Sequence, residues 1–498
     1  MEPRISLCMI VRDEADVLGA CLDAAREAAD EIVVVDTGST DRSAEIARSR
    51  GALVVHEPWR DDFSAARNAG LERATGDWIL VLDADEILAP GGAEKIRAAA
   101  KAPGCVGYYL PIVNVFDGGE RVTALIVRLF RNHPTVRYVN RIHEQVLEPL
   151  LALAGERGET FAVVQAPVAH DGYRESVVAL RGKDERNRRL FELQVGERPD
   201  DPYSWYKFAD FLRRAGTAGE AAAALRRALE LVRRSSEDRR RRLPYAAEVF
   251  ALLALGEVEA GRKAEARALV DEGFATTTAT AHLHFARGVV ALKDGDAALA
   301  EASFSECVRN RDLAAIMPAQ PGVTGYRSLH GMGAARYARG DREGARRAFL
   351  DAVADNPRNR DSLVALVHLA RERNDAKEAM TRLHQIVRED PRDAEAWTLG
   401  GEILLRLGLL ARAEQWLSRA DGPRAAFLEG VARLRSGDPA GALERFRLHA
   451  DDRLCRAGIE FVTAGPDGAR VGSAPAEAVA WLSAPRGGTG SNGQGIGA

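Results

Sequence analysis

Cysteine is scarce in this sequence, with five residues among 498. The five are odd in number and scattered, and they lack the paired spacing of a metal-binding motif. This pattern argues against a disulfide framework and against a structural zinc site. We therefore expect reduced thiols in a cytoplasmic protein.

Long apolar runs are also missing. No stretch approaches the roughly 20 apolar residues that a membrane-spanning helix requires, and we expect no secretory signal, because Glu2 and a short predicted strand stand at the start. Any membrane contact would then be peripheral, at the inner membrane face. The formal net charge is only −4, and no feature predicts nucleic-acid binding.

Predicted strands alternate with predicted helices in the first part of the chain. Apolar, often β-branched runs indicate strands at residues 5–11, 31–36, 52–56 and 78–82. Helical patterns separate the first three of these runs. Such alternation is typical of a parallel sheet with right-handed crossovers, in which ligands bind at the carboxyl ends of the strands.

Acidic side chains stand at the ends of two of these strands. Asp36 ends the second, and Asp83, Asp85 and Glu86 follow the fourth. Carboxylates at this edge can hold a divalent cation, which in turn neutralises a sugar-nucleotide diphosphate. The Asp-x-Asp pattern alone is a weak signal, since acids after a strand also cap helices or stand in solvated turns.

Four motifs in a fixed order strengthen this interpretation. They are Met-Ile-Val-Arg-Asp-Glu at 9–14, Val-Asp-Thr-Gly-Ser-Thr-Asp at 35–41, Asp-Phe-Ser-Ala-Ala-Arg-Asn at 62–68 and Leu-Asp-Ala-Asp-Glu at 82–86. In this order they resemble the motifs of inverting family 2 glycosyltransferases of the GT-A fold. The last two are similar to the branch that includes lipopolysaccharide-core glucosyltransferases and the peptide S-glycosyltransferases of glycocin pathways.

The resemblance covers about the first 175 residues and implies roles on the donor side. Asp36 would hydrogen-bond the nucleotide base, and Val11 in the first motif would border the nucleotide. Arg67 would lie against the base or the phosphates, as suits a guanidinium. Asp85 with Asp83 would face the metal, Mn²⁺ or Mg²⁺, and the ribose of a UDP-sugar. Asp36 could instead only cap a helix, and Arg67 could be a surface residue.

Residues on the acceptor side follow from the same resemblance. Two predicted antiparallel strands lie between residues 106 and 131, and a His-Glu pair comes after them. Glu144 is the predicted general base, with Asp117 as the competing candidate. His143 and His170 resemble metal or diphosphate contacts, although an ordinary structural histidine fits each equally well. The Gln-x-x-Arg-Trp segment of processive members is absent, which argues against polysaccharide synthesis.

The chain changes character near residue 175. From there to about residue 455 it has helical periodicity interrupted by short turns, and Gly340, Asn374 and Gly408 follow one another at intervals of 34 residues. This period is typical of tetratricopeptide repeats, which stack into a solenoid whose concave face binds a peptide or protein. The alternative is a helical scaffold that only covers the enzyme or forms a dimer.

The sequence therefore predicts three segments. They are an α/β GT-A nucleotide-sugar-binding domain over 1–175, an all-α tetratricopeptide-like solenoid over 176–455 and a largely disordered tail over 456–498. The predicted activity is inverting, metal-assisted transfer of a hexose from a UDP-sugar to a peptide or protein acceptor held by the repeats. The alternatives are a lipopolysaccharide-core or lipid-linked glycan glucosyltransferase and a non-catalytic repeat scaffold.

Overall fold

The structure is a computed structural model that describes residues 2–115, 121–170, 183–311, 315–316, 319–464 and 475–483. The chain divides into two compact units, Met1–Thr324 and Gly325–Ala498. Since neighbouring repeats of a solenoid pack on one another, such a division can fall inside a helical array. The boundaries predicted at residues 175 and 455 therefore stay predictions.

A mixed sheet and its helices form the first part of the first unit. Its described strands are β1 (Ile5–Val11), β2 (Glu31–Asp36), β3 (Leu53–His56), β4 (Trp78–Val81), β5 (Glu86–Leu88), β6 (Cys105–Val115), β7 (Arg121–Arg131), β8 (Thr160–Val163) and β9 (Val168–His170). Its helices are α1 (Ala15–Ala25), α2 (Ser43–Ser49), α3 (Phe63–Leu71), α4 (Gly92–Lys101) and α5 (Leu147–Arg157), with a 3₁₀ turn at Arg26–Ala28.

The strand order places the candidate residues at one edge. It is β3-β2-β1-β4-β7-β6-β9-β5, with β8 also paired to β6. Strands β3, β2, β1 and β4 are parallel, whereas β7 is antiparallel to both β4 and β6. The predicted parallel set and the predicted antiparallel pair are therefore confirmed. Val11, Asp36 and Asp83 consequently lie where the parallel strands end.

Both faces of the sheet are covered, which explains the continuous apolar runs. Successive side chains of a strand point to opposite faces. Leu7 of β1 packs in one core with Leu18 of α1, and Cys8 packs in another with Leu71 of α3 and Leu150 of α5. Burial on both sides fixes the register of β1, and with it the position of the loop that follows.

Helices make up the rest of the first unit and the described part of the second. In the first they are α6 (Lys183–Glu197), α7 (Pro202–Arg214), α8 (Ala218–Arg234), α9 (Glu237–Arg242), α10 (Ala246–Glu259), α11 (Lys263–Thr276), α12 (Ala281–Asp294) and α13 (Ala297–Arg309). In the second they are α14 (Tyr326–Ala338), α15 (Arg342–Asp355), α16 (Arg360–Glu372), α17 (Ala376–Glu389), α18 (Ala394–Arg406), α19 (Leu410–Leu417), α20 (Pro423–Ser436), α21 (Pro439–Arg447), α22 (Arg453–Ala464) and α23 (Ala476–Leu482).

The second unit confirms the predicted repeat period. Helices α14, α16 and α18 begin at positions 326, 360 and 394, so each begins 34 residues after the one before. The turns inside these helical pairs contain Gly340, Asn374 and Gly408, with φ of 83°, 57° and 74°. Positive φ favours glycine and is tolerated by asparagine, so the spacing seen in the sequence is that of the turns.

Two described helices lie in or next to the segment predicted as a tail, namely α22 and α23. The rest of that segment, residues 465–474 and 484–498, falls outside the described residues. Over the described ranges of the chain, every helix is too short or too polar to cross a membrane.

Where a phenylalanine of one helix packs closely against its paired helix, only glycine leaves enough space. This requirement can be tested at Gly288. A Cβ added at Gly288 would lie 2.7 Å from the Phe304 ring, whereas one at Gly256 would meet nothing within 4 Å. We expect Gly288→Ala to lower the free energy of unfolding by about 1–3 kcal/mol. Gly256→Ala, on an exposed part of α10, should leave it unchanged or raise it by up to about 1 kcal/mol. Urea unfolding of both variants tests this, and equal effects would contradict it.

Candidate active site

The loops after β1 and β2 are joined by hydrogen bonds. The Val11 carbonyl accepts from the Thr37 backbone amide at 3.0 Å and from its hydroxyl at 3.2 Å. Buried Asp36 accepts from the amides of Gly38 and Ser39 through Oδ1, at 3.1 and 2.7 Å. Its Oδ2 lies 3.5 Å from His56 Nδ1. One oxygen of Asp36 therefore braces the turn, and the other faces the exposed His56 ring.

Asp13 completes this pair of loops, and the sequence analysis did not assign it a role. Its Oδ1 accepts from the Thr40 amide at 2.7 Å and from the Thr40 hydroxyl at 3.0 Å. Its backbone lies in the left-handed region, with φ of 55°. The available signal was its place in the first motif, directly before Glu14. Asp13 therefore ties the first motif to the second.

A network of buried charges joins the acidic loop after β4 to the His-Glu loop. Arg67 of α3 donates from Nη2 to Asp83 Oδ1 at 2.7 Å and from Nε to Glu144 Oε1 at 2.6 Å. Arg128 of β7 donates to Asp83 Oδ2 at 3.0 Å and to Glu86 Oε1. We call these five residues the charge network. The charge network holds the carboxylates of Asp83 and Glu144 against the guanidinium of Arg67.

Arg128 was missed in the sequence analysis. The only local signal was an arginine between two apolar residues, Val127 and Leu129, of a predicted strand. Its role depends on the pairing of β7 with β4, which aligns Leu129 with Leu80 and so brings the preceding residue to the end of β4. The spacing of residues along the chain does not predict how β7 aligns with β4.

Burial and pairing act against each other in the charge network. Burial alone would raise the pKa of Asp83, but Arg67 and Arg128 outweigh it and hold that pKa well below its usual range. Burial raises the pKa of Glu86, and Arg128 offsets only part of the rise. Burial would lower the pKa of Arg67, yet the charges of Asp83 and Glu144 raise it. The arginines are therefore permanent cations at this edge.

One nitrogen of Arg67 lacks a partner among the residues that the structure describes. Its Nη1 is buried and forms no hydrogen bond with the described residues. Arg67 borders a small cavity together with Met9, Val35 and Tyr138. A buried donor without an acceptor is uncommon in a native structure. Arg67 Nη1 is therefore a buried donor that the described residues leave without an acceptor.

Asp85 and His170 form a second, smaller pair beside this network. His170 Nε2 lies 3.7 Å from Asp85 Oδ2, and Nδ1 lies 2.9 Å from Asn114 Oδ1. Burial would raise the pKa of Asp85, but the hydrogen bond and charge of His170 outweigh it and lower that pKa. Burial would lower the pKa of His170, and the hydrogen bond and charge of Asp85 outweigh it and raise that pKa.

Asp85 and His170 could together bind a divalent metal whose other ligands come from a bound phosphate group and water. Both Asp83 oxygens accept from arginines, so Asp85 and His170 are the carboxylate and the imidazole that would be left to hold a metal. Such donors suit Mn²⁺ or Mg²⁺ when phosphate oxygens and water complete the coordination. Among the residues that the structure describes, no three His, Cys, Asp or Glu side chains come together as a self-sufficient metal site.

Of the predicted residues that the structure describes, His143 is not brought to this group. The His143 ring lies 5.6 Å from the Phe191 ring of α6, and burial, with Lys207 and Arg214, lowers its pKa to about 3. In the described part of the chain it has no contact with Asp83 or Asp85, and its metal role stays a prediction from the resemblance. Asp117 lies outside the described residues.

Glu144 lies in a loop that α3 holds from one side. The Phe63 amide donates to the Arg141 carbonyl at 2.9 Å, and the Ser64 hydroxyl donates to the Asn140 carbonyl at 2.5 Å. Glu144 Oε1 accepts from Arg67, while Oε2 accepts no hydrogen bond from the described residues. The second oxygen is thus able to accept a hydrogen bond.

Helices α6 and α7 also hold this loop. The Ile142 amide donates to Gln194 Oε1 of α6 at 3.0 Å, and Gln194 Nε2 donates to the Ser204 hydroxyl of α7 at 2.8 Å. Gln145 Nε2 lies 3.0 Å from the Tyr203 hydroxyl of α7. The loop of the candidate base is therefore bonded to the helical part of the chain as well as to α3.

Comparison with known families agrees with this geometry. Residues 6–144 match the model of glycosyl transferase family 2, and residues 336–403 match a tetratricopeptide repeat model. The chain carries a family 2 glycosyltransferase domain followed by tetratricopeptide repeats. Members of this glycosyltransferase family generally use nucleotide-sugar donors and divalent metals.

Three curated proteins are similar to this chain. A TPR repeat-containing protein of Synechococcus elongatus is 37% identical over 230 residues, which are 46% of this chain and 57% of that protein. The SPbeta prophage-derived glycosyltransferase SunS of Bacillus subtilis is 26% identical over 244 residues, 48% and 56% of the two chains. An uncharacterized glycosyltransferase of Rickettsia bellii is 37% identical over 94 residues, 19% and 32%. The chain thus spans little more than half the length of the first two.

The charge network should dominate the stability of the family 2 domain. Arg128→Met would leave Asp83 and Glu86 without their shared cation. We expect a loss of about 3–5 kcal/mol in the free energy of unfolding, because a buried carboxylate stays unpaired. The matched control is Arg42→Met, which removes an exposed pair with Glu45 and should leave the unfolding midpoint nearly unchanged. Similar urea unfolding curves for both variants would contradict the prediction.

Proposed function

We propose that this chain is an inverting glycosyltransferase that moves a hexose from a UDP-sugar to a peptide or protein acceptor, assisted by a divalent metal. One observation carries the proposal, namely that Arg67 bonds Asp83 and Glu144 at once. Donor-side carboxylates and the candidate base therefore share one site. The family 2 domain supports the reaction class.

On the donor side, Asp36 binds the base and Val11 borders the nucleotide. Arg67 lies against the base or the phosphates, and a guanidinium suits phosphate. Asp85 and His170 hold the metal, Mn²⁺ or Mg²⁺. A divalent cation bound there would offset the charge of the diphosphate as it leaves.

On the acceptor side, Glu144 is the general base. Its Oε2 takes the proton from the acceptor hydroxyl or thiol while the acceptor attacks the anomeric carbon. The bond to the nucleotide diphosphate breaks on the opposite face, so the configuration inverts without a covalent intermediate. Asp117 stays the alternative base.

The repeats support a polypeptide acceptor. Tetratricopeptide arrays expose grooves that suit extended peptides, and the helical part of the first unit lies against the loop of Glu144. We also propose a cytoplasmic location, which is supported by five buried cysteines that form no disulfide in the described part of the chain.

A donor panel tests the proposed metal site. Purified protein should release nucleotide diphosphate slowly from one nucleotide sugar, and only with Mn²⁺ or Mg²⁺. Asp85→Asn should lower this release by about 100-fold or more, because charge stabilisation of the leaving group is lost. The matched control, Asp23→Asn, changes an exposed aspartate that pairs with Arg50 and should keep the wild-type rate. No release and no donor-induced thermal shift for any donor would overturn the enzyme proposal in favour of a scaffold.

The same assay tests the general base. With water as the acceptor, Glu144→Gln should lower release by about 10²–10⁴-fold, because the attacking group keeps its proton. The variant should still show the donor-induced thermal shift, since the donor contacts remain. Release at the wild-type rate would contradict the assignment, and Asp117→Asn would then be the variant to measure.

A further inference from the structure

His170 lies on strand β9, which runs between β6 and β5. In the parallel pairing of β9 with β6, His170 is aligned with Asn114. In the antiparallel pairing of β9 with β5, it is aligned with Glu86. Side chains of aligned residues on neighbouring strands lie on the same face of the sheet. Asn114, His170 and Glu86 therefore form one row across three strands, which we call the polar row.

The polar row follows an apolar row of the core. Ile112, Val168 and Leu88 lie two positions away on the same three strands, and they are aligned with one another in the same way. All three are buried in the core that also contains Leu18 of α1. Because burial of one face fixes the register of a strand, the core also fixes where the polar row stands.

The side-chain amide of Asn114 has a defined orientation. Its Nδ2 lies 3.3 Å from the Val122 carbonyl oxygen of β7, and its Oδ1 lies 2.9 Å from His170 Nδ1. A backbone carbonyl only accepts hydrogen bonds, so the amide nitrogen faces Val122 and the amide oxygen faces the ring. Since Oδ1 also only accepts, Nδ1 of His170 is a nitrogen that carries a proton.

A proton on Nδ1 leaves Nε2 as the metal-binding nitrogen. A neutral imidazole carries one proton, and the nitrogen without that proton is the one that can bind a metal ion. Nε2 lies 3.7 Å from Asp85 Oδ2, and the side chains of His170 and Asp85 are both partly exposed. Asn114, in contrast, is buried. The ring therefore has its buried side on Asn114 and its metal-binding nitrogen beside the accessible carboxylate.

We propose that Asn114 is a positioning residue of the metal site, which keeps the proton of His170 on Nδ1 so that Nε2 can bind Mn²⁺ or Mg²⁺. The inference rests on the proposed function, in which Asp85 and His170 hold the metal. Without the Asn114 oxygen, the ring would be able to rotate or to carry its proton on Nε2, and Nε2 would then be lost as a ligand. Hydrogen-bond partners of metal-binding histidines typically contribute about 10–100-fold to metal affinity.

Metal binding tests this role without turnover. Free Mn²⁺ gives an electron paramagnetic resonance signal that is lost on binding, so a titration of the full chain in the presence of UDP gives the affinity. Asn114→Leu should weaken Mn²⁺ binding by about 10-fold or more, because Nδ1 loses its acceptor. Asn114→Asp keeps an acceptor and should stay within about threefold of the wild type. Asn114→Ala replaces the leucine variant if that variant does not fold.

A double-mutant cycle and a matched control separate positioning from damage to the sheet. If Asn114 acts through His170, Asn114→Leu should have little further effect on Mn²⁺ affinity in a His170→Ala background. The control is Asn132→Leu, directly after β7. Asn132 donates to the carbonyls of Ala74 and Gly76, at 3.2 and 2.9 Å. Its loss removes comparable hydrogen bonds at the other end of β7 and should leave the Mn²⁺ affinity at the wild-type value.

The outcomes distinguish this inference from the proposed function. Unchanged Mn²⁺ affinity in Asn114→Leu, with a clear loss in His170→Ala, would overturn the inference alone. Additive losses in the double variant, or equal losses in Asn114→Leu and Asn132→Leu, would also overturn it. Absence of nucleotide release, with Mn²⁺ binding that depends on Asn114, would overturn the proposed reaction but leave the positioning role. Mn²⁺ binding that is absent, or unaffected by His170→Ala, would overturn the metal role of His170 and the inference with it.

Discussion

The active edge depends on a guanidinium buried between two carboxylates. Burying Arg67 costs hydration, and Asp83 and Glu144 offset that cost only if both loops stay in place. The two carboxylates would repel one another without this cation. Arg128 acts similarly between Asp83 and Glu86. The geometry of the site and the stability of the domain thus depend on the same ion pairs, so the loops that carry Asp83 and Glu144 cannot move independently.

Much of this edge could be predicted from the sequence, because it rests on local patterns. The apolar runs that became β1, β2 and β4 indicated strands, and the acids at their ends indicated one ligand-binding edge. Arg128 could not be found in this way, because its contact with Asp83 requires the antiparallel register of β7 on β4. The neighbours of His143 were hidden for the same reason, since Phe191 and Lys207 come from helices far along the chain.

In the helical part, too, local features could be predicted from the sequence, whereas long-range contacts could not. The turns at Gly340, Asn374 and Gly408 gave the period, because each needs a residue that tolerates positive φ. The period reveals how the helices pair, but it does not reveal which helices of the first unit contact the loop of Glu144. Gln194 gave no signal in the sequence, because its burial as a polar side chain of α6 is visible only in the structure. Only the folded chain shows that it satisfies the amide of Ile142.

That amide bears on how such proteins can be recombined. If the chain were cut between the last strand and α6, the Ile142 amide would lose its acceptor and Gln145 would lose Tyr203. The loop of the candidate base would then lack half of its support. The sheet domain therefore could not be joined to an arbitrary repeat array without losing these contacts. A working chimera would have to carry α6 and α7 along with the sheet and exchange only the later repeats.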